Sequence, residues 1–346
     1  MLKSSKKILL IGLGSIGQRH YRNFKNIGKN FSFFAIRKIK NSPELTKNNL
    51  IKNQKFNLKK KRIKEISEEE SLNKTFDVVF ICNPSSLHVR YANLFARKNT
   101  ALFIEKPLSH NLSGIKKLKN KINKNNLICA VGYQLRYHKF LHKIKKIIDK
   151  NLLGKIKKVE IFNQNFLPNH HKYEDYRAGY AARKKLGGGV LLCFIHEIDY
   201  ANFLFNKPKS IKCVLGKKSN LEIDVEDYAD LKCLHTLDGH NFIVKTKLDF
   251  IRKKEKRECK ILFQNGEINW DLKSDKLEIR NNKKIIKRLK SNISRNTLFK
   301  KQLEQFNENI NLGKTPLSNL ENGISSLEVV MLAKKSSKLK KTIYCQ

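Results

Sequence analysis

The chain has 346 residues, 73 Lys and Arg against 30 Asp and Glu, and a formal net charge of +43 at pH 7. The length leaves room for two domains with a sizeable core, and no apolar stretch approaches the roughly eighteen residues that a membrane-spanning helix needs. Charge alone would suggest nucleic acid or an anionic surface. Lysine is spread over nearly every segment beside abundant Asn and Ile, however, so runs such as Asn57–Lys64 and Lys334–Lys341 read as solvated surface. No specific nucleic-acid partner and no membrane are expected.

The 7 cysteines are odd in number, scattered and free of any C-x-x-C pair. That usage suits reduced thiols of a cytoplasmic protein better than a disulfide framework or a zinc site.

The first apolar run, Ile8–Ile11, enters Gly12-Leu13-Gly14-Ser15-Ile16-Gly17. In a strand–turn–helix the three glycines have separate tasks. Gly12 permits the tight turn, Gly14 lets backbone approach a pyrophosphate, and Gly17 lets the helix pack on the strand. Ser15, Ile16 and Gly17 then present helix N-terminal amides to the phosphates. Lys3, Lys6 and Lys7 before an apolar stretch also resemble a secretory signal. The glycines interrupt that stretch, and Gln18, Arg19 and His20 stand where a small-residue cleavage site would be.

Further strand-length runs follow at Phe31–Ile36, Val78–Cys82, Ala101–Ile104 and Leu127–Gly132, alternating with helical segments Gly17–Ile27, Ser86–Arg97 and Leu112–Lys124. Asn111 and Ser113 are candidate caps for the last of these. The alternation predicts a doubly wound parallel sheet, a Rossmann dinucleotide-binding domain over residues 1–130. After Gly132 the pattern changes. A helix over Lys139–Asp149 precedes strands at Lys158–Phe166, Ser210–Val214, Tyr228–Leu237, Phe242–Phe250 and Glu258–Phe263. Short turns at Leu237-Asp238-Gly239 and Asn265-Gly266 imply antiparallel pairing. Residues 131–346 are therefore expected to form an α+β domain with a largely antiparallel open sheet, whose terminal helices, Leu298–Leu312 and Leu320–Ser336, pack back on the fold. A sheet with one open face makes a homodimer or homotetramer the expected assembly.

In a dinucleotide-binding unit an acid at the end of the second strand receives the ribose hydroxyls. Here that position is Arg37, with Lys38 beside it and no acid nearby. A guanidinium suits a 2′-phosphate, which favours NADP(H) over NAD(H).

Three further segments each follow an apparent strand: Cys82-Asn83-Pro84-Ser85-Ser86-Leu87-His88, Glu105-Lys106-Pro107 and Gly132-Tyr133-Gln134-Leu135-Arg136-Tyr137. Later, Gly187-Gly188-Gly189-Val190-Leu191-Leu192 leads into His196-Glu197-Ile198-Asp199-Tyr200. In this order, over essentially the whole chain, these segments resemble the Gfo/Idh/MocA family of NAD(P)-dependent oxidoreductases. Leu167-Pro168 and Tyr173-Glu174-Asp175-Tyr176-Arg177-Ala178-Gly179-Tyr180 resemble a subgroup associated with sugars of surface glycans. The resemblance implies hydride transfer between nicotinamide and a secondary alcohol or ketone of a sugar, nucleotide sugar or cyclitol.

That chemistry needs a group to take or give the hydroxyl proton. Lys106, leaving the end of a strand in the ligand crevice, is the first candidate, and His196 the second. The resemblance also implies an unusual, cis-type geometry for the Glu105–Lys106 peptide. Asn83, Pro84, His88 and Glu105 would line the cofactor wall, with His88 alternatively capping the helix that begins there. Asp175, Tyr176, Arg177 and Tyr180 form a polar and aromatic cluster suited to a polyhydroxylated or acidic substrate. Asp199, three residues after His196, would orient its ring or hold a sugar hydroxyl. The pairs His170-His171 and His138 with His142 lack further ligands, so no metal is expected.

One departure matters. Many relatives carry an acid three or four positions before the histidine, where this chain has Cys193 and Leu192. Either Lys106 and His196 suffice, or Asp175 or Asp199 supplies the charge, or the protein is a dinucleotide-binding sensor with weakened catalysis.

Overall fold

The computed structural model describes residues 5–28, 30–46, 50–171, 173–282 and 284–345. They form two compact units, Met1–Gln134 with Ser294–Ile324, and Leu135–Ile293 with Ser325–Gln346.

The first unit runs β1 (Lys6–Ile11), α1 (Ser15–Lys25), β2 (Phe31–Ile36), β3 (Pro43–Leu45), β4 (Ile51–Lys55), α2 (Leu58–Lys61), β5 (Ile63–Glu65), α3 (Glu68–Leu72), β6 (Val78–Ile81), α4 (His88–Phe95), β7 (Ala101–Ile104), α5 (Ile115–Lys124) and β8 (Cys129–Val131). Six strands make one parallel sheet in the order β5-β2-β1-β6-β7-β8, and β3 and β4 pair separately as a hairpin. Every residue of β6, β7 and β8 is buried, as continuous apolar runs in a sheet covered on both faces require. The helix expected from Leu112 begins only at Ile115, because Gly114 at its N-cap has φ +73°. Asn111 instead accepts the Ser113 amide at 3.0 Å.

The second unit contains α6 (Lys139–Asp149), β9 (Ile156–Gln164), α7 (Val190–Cys193), α8 (Ile195–Phe205), β10 (Ser210–Gly216), β11 (Tyr228–Leu237), β12 (His240–Asp249), β13 (Lys256–Phe263), β14 (Gly266–Asp271), β15 (Lys276–Asn281) and β16 (Lys284–Lys290). The β11–β12 turn places Asp238 and Gly239 at φ +47° and +73°, the pair of positive angles that a tight two-residue hairpin demands. With a final strand, residues 343–344, the sheet has nine strands, antiparallel throughout except where β9 lies parallel to β12. Alternate residues such as Leu231, Val244, Ile161 and Cys259 are buried on one face, where α7 and α8 pack. On the other, Lys212, Lys232 and Lys245 stand directly opposite one another across three strands.

The last two helices are α9 (Arg295–Leu312) and α10 (Leu320–Leu339). The expected division at 130/131 is thereby corrected. Leu303 and Phe306 of α9 are fully buried in one cluster with Phe80 and Phe103 of the parallel sheet. Gln302 donates to the Val131 carbonyl and to Ser318 Oγ, both at 2.9 Å. Burying two such side chains is worth about 3–6 kcal/mol. The segment 294–324 is thus part of the first unit, and the unit's first stretch extends to Gln134.

Candidate active-site residues

In the first unit the glycine turn, Asn83 and Lys106 all leave the carboxyl ends of neighbouring strands, β1, β6 and β7. That edge is where open parallel sheets bind ligands. Gly12, at φ +93°, donates to the Ile36 carbonyl at 2.9 Å, and a Cβ there would lie 2.9 Å from the Asn83 nitrogen. At Gly17 a Cβ would meet the Gly12 oxygen at 2.1 Å, so only glycine lets α1 begin this close to β1. Gly14 differs, with nothing within 4 Å of a built Cβ and no side chain capping the helix. An α-helix leaves its first N–H groups without intrahelical partners. The amides of Ser15, Ile16 and Gly17, beside the open space at Gly14, therefore suit a pyrophosphate.

Arg37 directly follows β2, with its guanidinium largely enclosed. Nη2 donates to Glu65 at 3.0 Å and Nη1 to the Lys40 carbonyl at 2.8 Å, while Lys40 also pairs with Glu65. The Arg37 hydrogen bond, together with Lys40, holds the Glu65 carboxyl below its ordinary value despite partial burial. A cavity of about 920 Å³ opens beside this group, lined by Arg37, Lys40, Glu44, Lys60 and Glu65 among others. Glu65 carries the acid that the second strand lacks, on the adjacent strand β5.

His88 is 1% exposed, and its ring stands between two carbonyls, Nδ1 2.8 Å from Pro107 O and Nε2 2.7 Å from Asn83 O. Burial pulls the imidazole below its ordinary value, against the two carbonyls, which favour its charged form. It braces the loops after β6 and β7, and both ring nitrogens are occupied by that task. Pro84 caps the short turn Ser85–Leu87 ahead of α4.

Lys106 is half-buried after β7, and the cis peptide bond is Lys106–Pro107, one bond later than expected. Proline's tertiary amide makes cis accessible there. The Glu105 side chain, expected on the cofactor wall, is 6% exposed and turns inward. Its Oε1 lies 2.5 Å from His20 Nε2, and its Oε2 accepts the Lys106 amide at 3.1 Å. Burial pushes its carboxyl up, but His20 and Lys106 outweigh that and hold it below its ordinary value.

In the second unit, Gly188 and Gly189 lead into α7, where Leu192 and Cys193 are both buried. A Cβ at Gly188 would lie 2.5 Å from the carbonyls of Ala181 and Tyr180, and one at Gly189 2.5 Å from Glu226 Oε1. His196 sits in the first turn of α8 at 7% exposure. The two acids that follow it are wholly buried and ion-paired. Glu197 accepts from Arg257 Nε at 2.8 Å. Asp199 receives Arg136 through Nε at 3.0 Å and Nη2 at 2.9 Å, with Ser326 Oγ 3.3 Å away and Phe203 against the guanidinium. Burial raises the Asp199 carboxyl, partly offset by Arg136. The expected contact of Asp199 with substrate is corrected on this ground, since its oxygens already serve a buried bidentate pair.

In the Asp175 cluster, Asp175 and Arg177 are exposed and ion-paired, while Tyr176 and Tyr180 are half-buried. Arg177 Nε lies 2.9 Å from Asp175 Oδ2, and Arg177 Nη1 lies 3.1 Å from Glu222 Oε1. Tyr176 Oη accepts the Glu222 amide at 3.3 Å, and Tyr180 begins a short turn to Ala182. Of the histidine pairs, His138 meets Asp275 at 3.1 Å, and His142 reaches the Arg136 carbonyl at 2.6 Å. His170 pairs with Asn165, and His171 meets Glu174 at 2.7 Å. Among the described residues no three His, Cys, Asp or Glu side chains are grouped to hold a metal ion.

Sequence reasoning missed His20, Glu65, Arg257 and Gln302. The available signal for His20 was its place on the face of α1 shared with the buried Gly17, Tyr21 and Phe24.

A parallel nucleotide-binding sheet with a glycine turn, followed by a mixed sheet under a helix bearing a buried histidine, defines a class of two-domain oxidoreductases. The chain belongs to the Gfo/Idh/MocA oxidoreductase family: residues 6–133 match its NAD-binding Rossmann fold and residues 145–344 its C-terminal alpha/beta domain. Among curated relatives, the chain is similar to myo-inositol 2-dehydrogenase of Thermotoga maritima, 23% identical over 214 residues, 58% of this chain and 55% of that protein. It is also similar to scyllo-inositol 2-dehydrogenase (NAD(+)) of Bacillus subtilis, 30% identical over 129 residues, 37% of this chain and 35% of that protein. The chain thus spans about half and about a third of their lengths. A levoglucosan dehydrogenase solved with NADH and levoglucosan shares the fold at TM-score 0.80 and 16% identity, over 99% of both chains. Among the described residues no helix is long and apolar enough to cross a membrane.

Proposed function

We propose that this protein is an NAD(P)-dependent oxidoreductase acting on a secondary alcohol or ketone of a sugar, nucleotide sugar or cyclitol. The observation that carries the reading is the edge of the parallel sheet. There the Gly14 turn leaves open space at a helix N-terminus, and two strands away Lys106 emerges from β7. The inositol and levoglucosan dehydrogenases among its relatives support the substrate class. Bound nicotinamide dinucleotide supplies or accepts the hydride. Ser15, Ile16 and Gly17 hold its phosphates, Asn83 and Pro84 line the next strand's loop, and Lys106 and His196 take or give the hydroxyl proton. Asp175, Tyr176, Arg177 and Tyr180 supply polar contacts to substrate hydroxyls.

Arg37 and Lys40 support NADP(H) over NAD(H), with Glu65 as the opposing charge that a 2′-phosphate would displace. The open face of the nine-stranded sheet supports a homodimer or homotetramer, and the seven reduced thiols a cytoplasmic location. Fluorescence titration with NADH and NADPH, then turnover across a sugar and cyclitol panel with the tighter cofactor, tests the reading. Lys106→Ala is expected to keep cofactor binding and lose at least about a hundredfold in turnover. Turnover within a few-fold of the parent would remove Lys106 from the chemistry. Leu192 and Cys193 carry a second reading, a dinucleotide-binding sensor, for which tight cofactor binding without turnover on any panel member is the expected result.

A further inference from the structure

The least expected group in the first unit is the pair His20–Glu105. His20 lies on α1, three residues past the last glycine of the turn, with 0% exposure. Its ring is enclosed by Phe80, Phe103 and Phe299, with centroids 5.5, 4.8 and 5.9 Å away. Glu105 meets it at 2.5 Å and uses its second oxygen to accept the Lys106 amide. Gly132 at the end of β8 makes the space, since a Cβ there would lie 2.9 Å from Glu105 Oε2. The other titratable groups facing the carboxylate are Cys82, His88 and Lys106.

A buried carboxylate paired with a wholly buried imidazole is expensive to desolvate, and well-packed apolar residues are often at least as stable. Its placement therefore calls for a use other than stability. The partners indicate one. A single carboxylate links α1, whose N-terminus forms the phosphate seat, to the backbone of the residue that carries the candidate catalytic amine.

We infer that His20 and Glu105 are positioning residues for Lys106, fixing the lysine's loop to the helix that seats the dinucleotide. The inference rests on the reading of Lys106 given above. Neither side chain is catalytic in its own right; the imidazole orients the carboxylate, and the carboxylate orients the Lys106 amide and its local charge.

The test uses the full chain and three variants. His20→Leu removes the donor, His20→Gln retains an N–H donor on a planar group, and Glu105→Gln keeps shape but removes the charge. Competitive labelling with acetic anhydride across pH, read by mass spectrometry on the Lys106 peptide, reports that amine's own titration without any substrate. Thermal unfolding, NADH and NADPH titration, and turnover with myo-inositol as the first probe accompany it.

The expected result is a Lys106 labelling midpoint moved by about half a pH unit or more in His20→Leu and Glu105→Gln. Cofactor Kd should stay within about threefold, while kcat falls about tenfold to a hundredfold, the scale of a small misplacement. His20→Gln should recover most of both effects. Should His20→Leu fail to fold, Glu105→Gln carries the test. Labelling profiles that superimpose on the parent's in every folded variant would overturn the inference. If labelling shifts but Lys106→Ala keeps its turnover, the positioning stands and the catalytic reading of the lysine fails; the converse pattern removes only the positioning.

Discussion

Two glycine clusters precede two helices in this chain, and they make room for different things. Gly188 and Gly189 enter α7 with protein filling the space a side chain would need, two backbone carbonyls for one and a carboxylate for the other. Gly14 enters α1 with nothing within 4 Å. The same contrast holds for the acids nearby. Asp199 and Glu197 close on arginines inside the second unit, whereas Glu105 sits directly behind a half-buried lysine at the carboxyl edge of the parallel sheet. Glycine and acid in a motif therefore do not by themselves mark a ligand; what occupies the neighbouring space does.

The strongest way to break this comparison is Asp199→Ala. If the carboxylate is structural, leaving Arg136 buried and unpaired should cost about 3–5 kcal/mol in denaturant unfolding. A folded variant of parental stability with only a raised substrate KM would return Asp199 to the binding site.

Next in size is an acid effect in the second unit. Burial pulls the His235 imidazole down to about 4 from its ordinary 6.5. The unfolded chain therefore binds the extra proton first. The stability this group contributes is complete above pH 6.5 and is lost as pH falls toward and through 4, about 3 kcal/mol in all. His235→Phe should flatten the stability profile between those limits, and an unchanged slope would assign it elsewhere. Glu105 follows the carboxylate pattern. Its contribution is present above its ordinary 4.5 and fades only as pH falls through its lower folded value.

A smaller loss, about 1–3 kcal/mol, is expected for Gly188→Ala, which forces a Cβ between two backbone carbonyls that cannot rotate away. Gly14→Ala sharpens the contrast from the other side. Unfolding should change by less than about 0.5 kcal/mol, while NADH or NADPH binding weakens about tenfold, ~1.4 kcal/mol. A Gly14 variant that lost stability but not affinity would reverse the assignment.

The elements most legible in the sequence were those with buried, regular patterns. Lys139–Asp149 and Phe31–Ile36 have the bounds expected of them, and β11 keeps both ends. Between β2 and β6 no element was placed, and Asn57–Lys64 was read only as solvated surface, because β4 is largely polar and β3, β5, α2 and α3 are only three to five residues long. Strands β14, β15 and β16 also went unread; β16 is exposed at nearly every position, so no alternation of apolar and polar residues marks it. At the site, the glycine turn and the Glu-Lys-Pro segment were visible as motifs. Direction was not. A sequence does not say that Glu105 points inward, that Arg37 is met by Glu65, or that Asp199 closes on Arg136, since each partner lies 28 to 85 residues away.

The return of α9 to the parallel sheet has a consequence for how the molecule is made. Phe306 and Leu303 complete a cluster whose other members come from the first 130 residues. On a ribosome that cluster stays open until α9 has emerged, by which time the segment between β8 and α9 has already been synthesised. The parallel-sheet unit is finished only after most strands of the second unit have been made.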